Sequence, residues 1–367
     1  MNINNMRKHK AGDLKFILLG ILAVFTFSCN SKTANNSINN LNPSASESTQ
    51  TKCQTIKHDI DKTKICGQPQ KIAVLGPNAL EIIIALKVQP AAYADHIVFH
   101  RGDFDNPSQQ IPYIGKRITS QPINLGKAAE PSLETLAKFK PDLIIGNVLQ
   151  HKSKYALLSQ IAPTLLFKMP LSGGNWQDGL QVTAQALGRT QQAQKVIESH
   201  NKKLASTREQ LQNFVAANPR ALILNSDDLN QNFYLMSATS PCGRLVQELG
   251  FKVVSLSKEK PQPSYQNISL EILNQLDSDL ILFQGFDFSQ PEKLADVKDI
   301  ETYQIKNIKK QWENNPITQS MNASKQGQVY FSNAYLCSAF PGPVGSEIFL
   351  KQLSGKLLSQ NKINEKP

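Results

Sequence analysis

Two stretches 137 residues apart repeat one pattern, and that repetition limits the possible folds more than any other feature of the chain. The first runs from Ser132-Leu133-Glu134 to Pro141-Asp142-Leu143-Ile144-Ile145, the second from Ser269-Leu270-Glu271 to Ser278-Asp279-Leu280-Ile281-Leu282. Each reads Ser-Leu-Glu, an apolar helical turn or two, a short polar break, then Asp-Leu-Ile and an apolar run. Leu133, Leu136 and Ala137, like Leu270, Leu273 and Leu276, recur at helical spacing, and the aliphatic run that follows fits a strand buried on both faces of a parallel sheet. A helix-to-strand unit present twice predicts two similar α/β lobes, and two lobes make a cleft.

The N-terminus predicts where such a protein works. Arg7, Lys8, Lys10 and Lys15 precede an apolar run of 12 residues, 16–27, too short to anchor a bilayer and characteristic of a secretory signal peptide over residues 1–28. Ser28-Cys29 looks like the lipobox of bacterial lipoproteins, which implies that Cys29 carries the lipid; Thr26 and Phe27 depart from the aliphatic and small residues of that pattern. Residues 29–52 are rich in Asn, Ser and Thr, bury too little to fold, and are expected to form a tether. Without residues 1–28, which hold four Lys/Arg and one Asp, the formal charge falls from +11 by 3 to +8. The cations are scattered, with no interleaved aromatics to stack bases, so nucleic acid is excluded as a partner and an anionic small ligand or membrane surface favoured.

Four further cysteines lie in a chain expected to meet an oxidising compartment. Cys53 and Cys66 flank a short extended segment and turn, and a bridge there leaves Cys242 and Cys337 to pair by elimination. Zinc is the competing reading, opposed by the absence of any CxxC and by six dispersed histidines.

Along the chain, strands are expected at 71–77, 111–115, within 132–146, at 220–225, 252–256, within 269–285 and at 329–332, with a short strand and loop at 91–101 and helices at 79–86, after Pro241 and at 343–358. Their alternation predicts a parallel sheet covered on both faces. A helix from Trp176 to Leu187 is interrupted by Gly188-Arg189, and Thr190 to Phe214 then forms a second, of about 25 residues and roughly 40 Å. The domains are therefore an N-terminal α/β lobe at 53–188, an inter-lobe helix at 189–216 and a C-terminal α/β lobe at 217–360: two Rossmann-like lobes joined by one long backbone helix. No Pro or Gly lies between Thr190 and Phe214 to ease a kink, so lobe closure on ligand is expected to be small and the basic cleft preformed.

From residue 53 to 358 the chain resembles the iron-siderophore substrate-binding lipoproteins of ABC importers, the ferric dicitrate and ferrichrome type. The resemblance is carried by Pro131 to Leu136 with Lys140 to Gly146, then Ile161-Ala162-Pro163-Thr164, Ala186-Leu187-Gly188-Arg189, Gly327-Gln328-Val329-Tyr330 and Gly342-Pro343. Many relatives end the first strand of the second lobe with Arg, where this chain has Asn225. The resemblance implies a monomeric, lipid-anchored protein on the outer, periplasmic face of the membrane that delivers an anionic, citrate- or hydroxamate-like ferric siderophore to a permease. It also implies that Glu134 and Glu271 dock on permease arginines; both also suit helix N-termini capped by Ser132 and Ser269.

In doubly wound sheets ligands sit beyond the carboxyl ends of the strands, which selects 77–78, 95–101, 115–117, 146–147, 172–176, 225–228 and 333–335. Within and near these segments Asn78, Arg101, Arg117, Trp176, Asn225, Arg244 and Tyr335 are the candidate ligand contacts, the arginines for carboxylate or hydroxamate oxygens, Trp176 and Tyr335 for flat or aliphatic parts. His96, His100 and His151 would serve a bare metal ion, but no two share a repeat-related position, and a chelated ferric ion needs no protein ligand or cofactor. Catalytic signatures are missing: no Gly-x-Ser-x-Gly elbow, no phosphate-cradling Gly loop, no His-Glu-x-x-His. The rivals are a binder of cobalamin or haem and a membrane-tethered enzyme or sensor domain.

Overall fold

The computed structural model describes residues 52–170, 173–231, 233–257, 263–287 and 297–364, so the signal-peptide, Cys29 and most of the tether expectations lie outside the described residues. Residues 50–367 form one compact unit.

The chain enters through a hairpin, β1 (Cys53–Lys57) and β2 (Lys62–Cys66), clipped by the Cys53–Cys66 disulfide. Then come β3 (Ile72–Leu75), β4 (Ala92–Asp95), β5 (Ile123–Lys127), β6 (Glu130–Pro131), β7 (Leu143–Asn147) and β8 (Thr164–Phe167), forming a sheet in the order β6-β5-β4-β3-β7-β8. All its pairings are parallel except β5 with β6. In the C-terminal lobe β9 (Arg220–Ser226), β10 (Phe233–Met236), β11 (Lys252–Val253), β12 (Tyr265–Asn267), β13 (Leu280–Gly285) and β14 (Val329–Asn333) give the order β12-β10-β9-β13-β14, with β11 also on β9. Here β10 runs antiparallel to both β9 and β12.

The repeated unit serves each lobe in the same way. Asp142 accepts backbone N–H bonds from Gln70 and Lys71 at 3.0 and 2.8 Å, fixing the start of β3. Its counterpart Asp279 accepts from the Arg220 N–H at 2.8 Å at the start of β9. The helical parts differ: Ser132 accepts from the Thr135 N–H to cap an α-helix, Leu133–Phe139, whereas Leu270–Gln275 is a 3-10 helix with no side-chain cap.

Several expectations are corrected. Residues 111–115 form no strand, because Pro112 lacks an N–H and Tyr113 takes φ 60, which turns the chain. The expected strand at 252–256 ends at Val253. The C-terminal sheet is mixed rather than parallel, and β10 and the helix Ile300–Asn314 were not foreseen.

Between the lobes the helix Thr190–Ala217 runs unbroken for 28 residues, preceded by Trp176–Ala186 and a Gly188 at φ 63. The last helix, Pro343–Asn364, packs along it. The segment leading into that last helix crosses back: Tyr335, Ala339, Phe340 and Val344 are buried in the core of the N-terminal lobe with Ile83, Tyr93 and Ile114. At the crossing, buried Glu81 accepts backbone N–H bonds from Gly342 at 2.7 Å and Gly345 at 3.2 Å. A Cβ on Gly342 would lie 2.7 Å from the Glu81 carboxylate and would displace it from its N–H donors. Burial outweighs these N–H donors and pushes Glu81 up to about 8.

Candidate functional site

A cavity of about 310 Å³ opens where the carboxyl ends of both sheets meet. Asn78 follows β3, His96 follows β4, Asn147 ends β7 and Met169 lies just beyond β8. From the other lobe come Asn225 near the end of β9, Tyr265 on β12, Phe286 after β13, and Ala334, Tyr335 and Ser338 after β14.

The N-terminal wall is a chain of carboxamides. The Asn147 Nδ2 donates to Gln150 Oε1 at 3.0 Å and lies 3.4 Å from Asn78 Oδ1, and Gln150 Nε2 lies 3.4 Å from His96 Nδ1. Desolvation, with the charge of Lys127 beside it, holds His96 below the usual imidazole value, so its ring is neutral at pH 7. The opposite wall is aromatic: Tyr265 hydroxyl meets Ser338 Oγ at 3.1 Å, and the buried Tyr335 hydroxyl donates to Asp95 of the N-terminal lobe. Burial pushes Asp95 up to about 6. The Cys242–Cys337 disulfide ties the segment carrying Tyr335 and Ser338 to the helix Pro241–Glu248.

Of the seven candidate contacts, Asn78, Asn225 and Tyr335 line this cavity. Arg101 is exposed on the loop after β4 and outside the lining. Arg117 pairs with Glu347 at 3.0 Å and borders a different hollow, along the long helix. Trp176 and Arg244 come together in a third depression, where Arg244 Nε donates to Thr239 O. Among the described residues no Lys or Arg lines the cleft cavity, and Lys127 lies beside its His96. The histidines do not converge: both ring nitrogens of buried His151 are spent on Asn147 and on Ala128 O, and His100 meets Asp103 O. Among the described residues no three His, Cys, Asp or Glu are grouped to hold a metal.

Sequence reasoning did not select Gln150, Met169, Tyr265, Phe286 or Ser338. For Gln150 a signal existed, three residues past Asn147 and on the turn that Asn147 caps. Phe286, directly after the Leu280–Gly285 run, was equally findable by the carboxyl-end rule.

Residues 72–336 match the Periplasmic binding protein family. The chain belongs to this family. A relative, the Fe(3+)-citrate-binding protein YfmC of Bacillus subtilis, is 26% identical over 94% of this chain and 98% of its own. The Fe(3+) dicitrate-binding periplasmic protein FecB of Escherichia coli is 27% identical over 71% of this chain and 76% of its own. Among solved structures, Staphylococcus aureus SirA complexed with staphyloferrin B superposes with a TM-score of 0.64 at 21% identity, covering 83% of this chain and 98% of that one, which establishes the shared fold. In this periplasmic binding protein the cleft cavity is lined by residues at or just after strand carboxyl ends in both lobes. Glu134 and Glu271 are both exposed in the first turn of the helix that precedes an equivalent strand, β7 or β13. Glu134 pairs with Lys138 at 2.6 Å, and a bond from Ser269 holds Glu271 below the usual carboxylate range.

Proposed function

We propose that this periplasmic binding protein is the substrate-binding component of an ABC importer: it takes a ferric siderophore, citrate- or hydroxamate-like, into the cleft, without transforming it. One observation carries this reading: the polar residues of both lobes converge on a single cavity, of a size within the range of small-molecule sites, at the carboxyl ends of both sheets. The iron-chelate names of these two relatives support it. In this reading the protein acts as a monomer, held by lipid on Cys29 at the outer face of the membrane. Glu134 and Glu271, one exposed carboxylate per lobe, meet basic residues of the permease.

Mass spectrometry of the natively purified protein should find a retained iron chelate, and its visible spectrum should separate a ferric siderophore from corrin or porphyrin. Glu134→Ala with Glu271→Ala should abolish uptake of radio-iron chelate by cells while leaving the affinity of the soluble domain unchanged. A large loss of affinity would move these glutamates from docking into the cleft and sink their assignment.

A further inference from the structure

Outside the cleft, a hollow of about 560 Å³ along the long helix Thr190–Ala217 gathers cations. Lys195, Ser199 and Lys203 follow one another at four-residue spacing on one face of that helix, and Lys87 and Arg117 complete the polar lining. Against these four cations the lining has one carboxylate, Glu347, which Arg117 holds at 3.0 Å. Glu198 and Glu209, the exposed carboxylates of the long helix, are outside the lining. Among the described residues no carboxylate lies within ion-pair reach of Lys87, Lys195 or Lys203, and all three are exposed. Lys87 also takes φ 59, a backbone state that glycine would adopt at less cost. Buried apolar side chains, Val344 and Leu350, belong to the same lining.

The hollow lies at the end of the N-terminal lobe away from the cleft. Helix Pro77–Ala85 starts at the carboxyl end of β3 and runs back along the sheet, so Ala85 and Lys87 lie at the sheet's amino end. Gln192 donates to Ala85 O at 3.1 Å, which sets the first turns of the long helix at that same end. The folded chain also begins there: Gln54 Nε2 is 3.3 Å from Gln185 O and Ala186 O, so Cys53 sits beside the last turn of Trp176–Ala186, just ahead of Thr190. Glu134 is at the opposite end, because Leu133–Phe139 runs toward the start of β7. Residues 30–52 separate Cys29 from this entry point, at most about 80 Å of chain. A lipid on Cys29 thus keeps the hollow within reach of the headgroups, and confinement makes a weak site sufficient. Resting on the lipid-anchored reading of Cys29, we infer that the hollow binds the phosphate of an anionic phospholipid headgroup. A protein held this way has its cleft and Glu134 turned from the bilayer; it waits open to incoming ligand and turns over to dock.

The test is flotation of the mature chain without its lipidated residue, 30–367, on vesicles of phosphatidylcholine alone or with about one third phosphatidylglycerol, at roughly 0.1 M salt. Protein should float with the mixed vesicles only. Lys195→Gln with Lys203→Gln should weaken this partitioning by at least about tenfold, each cation near an anionic surface contributing about fivefold. Lys306→Gln with Lys310→Gln, the same charge loss on exposed residues of the C-terminal lobe, should change it by less than about twofold. Equal losses in the two variants, or no flotation with the mixed vesicles, overturn the inference. Displacement by about 10 mM inorganic phosphate at fixed ionic strength also overturns it, by assigning the hollow to a free anion. Ferric dicitrate and ferrichrome, titrated against vesicle-bound protein, should bind as they do in solution; binding lost on the vesicle overturns the orientation. A protein that floats yet takes up no ferric chelate leaves the hollow's assignment standing and counts against the siderophore reading. The mass of the N-terminal peptide from cell membranes reports the Cys29 lipid separately.

Discussion

In the N-terminal lobe the segments facing the cleft carry carboxamides, Asn78, Asn147 and Gln150, linked to one another and to His96; in the C-terminal lobe they carry the rings of Tyr265, Phe286 and Tyr335 around one amide, Asn225. The same helix-to-strand unit underlies both. What separates them is the sheet edge: in the second lobe β10 runs antiparallel to its neighbours β9 and β12, and β12 brings Tyr265 to the cleft. One lobe thus offers hydrogen bonds of fixed geometry and the other an apolar surface, so orientation and desolvation of a ligand are divided between them. The way each lobe is secured differs too, and this gives the comparison its sharpest tests.

The largest effect is expected from the disulfides. Cys242–Cys337 closes 95 residues and Cys53–Cys66 closes 13. On loop entropy alone, serine pairs should cost about 4.7 kcal/mol in the first case and about 3 kcal/mol in the second. Urea unfolding of the two double variants checks the order. Only the Cys242/Cys337 variant should also weaken ligand binding, since it frees the segment bearing Tyr335 and Ser338. Equal losses would break the contrast between lobes.

Next, by its size per pH unit, is a pH dependence set at the crossing. Glu81 at about 8 and Asp95 at about 6 lie above their ordinary 4.5 and 3.8, so over those intervals the native state holds protons that the unfolded chain has released. Stability should therefore be fullest below about pH 4 for these two groups and fall as pH rises, by up to about 1.4 kcal/mol per pH unit for each, until the folded values are passed. Glu81→Gln should remove most of the fall between pH 5 and pH 8, and Asp95→Asn a smaller share at its acid end. A wild-type urea midpoint unchanged over that range would show that Glu81 is ionised when folded.

Smaller still is the difference between the repeat's two serines. Ser132→Ala should cost about 1 kcal/mol for its lost N-cap, while Ser269→Ala, with no cap bond to lose, should leave the urea midpoint nearly unmoved. The smallest effect is expected on shape. With Thr190–Ala217 unbroken and Glu81, Arg117 and Tyr335 bonded across the lobes, scattering curves with and without ferric chelate should nearly superimpose. A marked fall in radius of gyration would mean that the crossing opens.

The repeat and the long helix were legible because buried parallel strands and a 28-residue amphipathic run leave periodic marks in sequence. β10 was not: Phe233–Met236 is four residues beside an Asp- and Asn-rich turn. Residues 111–115 read as a strand by composition, and only the backbone of Tyr113 decides otherwise. In the site, the carboxyl-end rule found Asn78, Asn225 and Tyr335, but it cannot tell an arginine facing the cleft from one facing outward along the same loop, as Arg117 does. Glu81 did carry a mark, a single carboxylate within Ala79-Leu80-Glu81-Ile82-Ile83-Ile84, yet its partners lie 261 and 264 residues away and no local pattern reaches them.

That distance bears on the order in which the protein is made. Tyr335, Phe340 and Val344 complete a core whose other members are nearly all supplied before residue 200. A nascent chain has synthesised the whole first sheet long before it owns the side chains that fill that sheet's interior. The early lobe must wait, incomplete, until the last tenth of the polypeptide arrives. A chain stopped short of Gly342 should then fail to yield even a stable first half, and one still being threaded through a membrane is kept loose by its own topology.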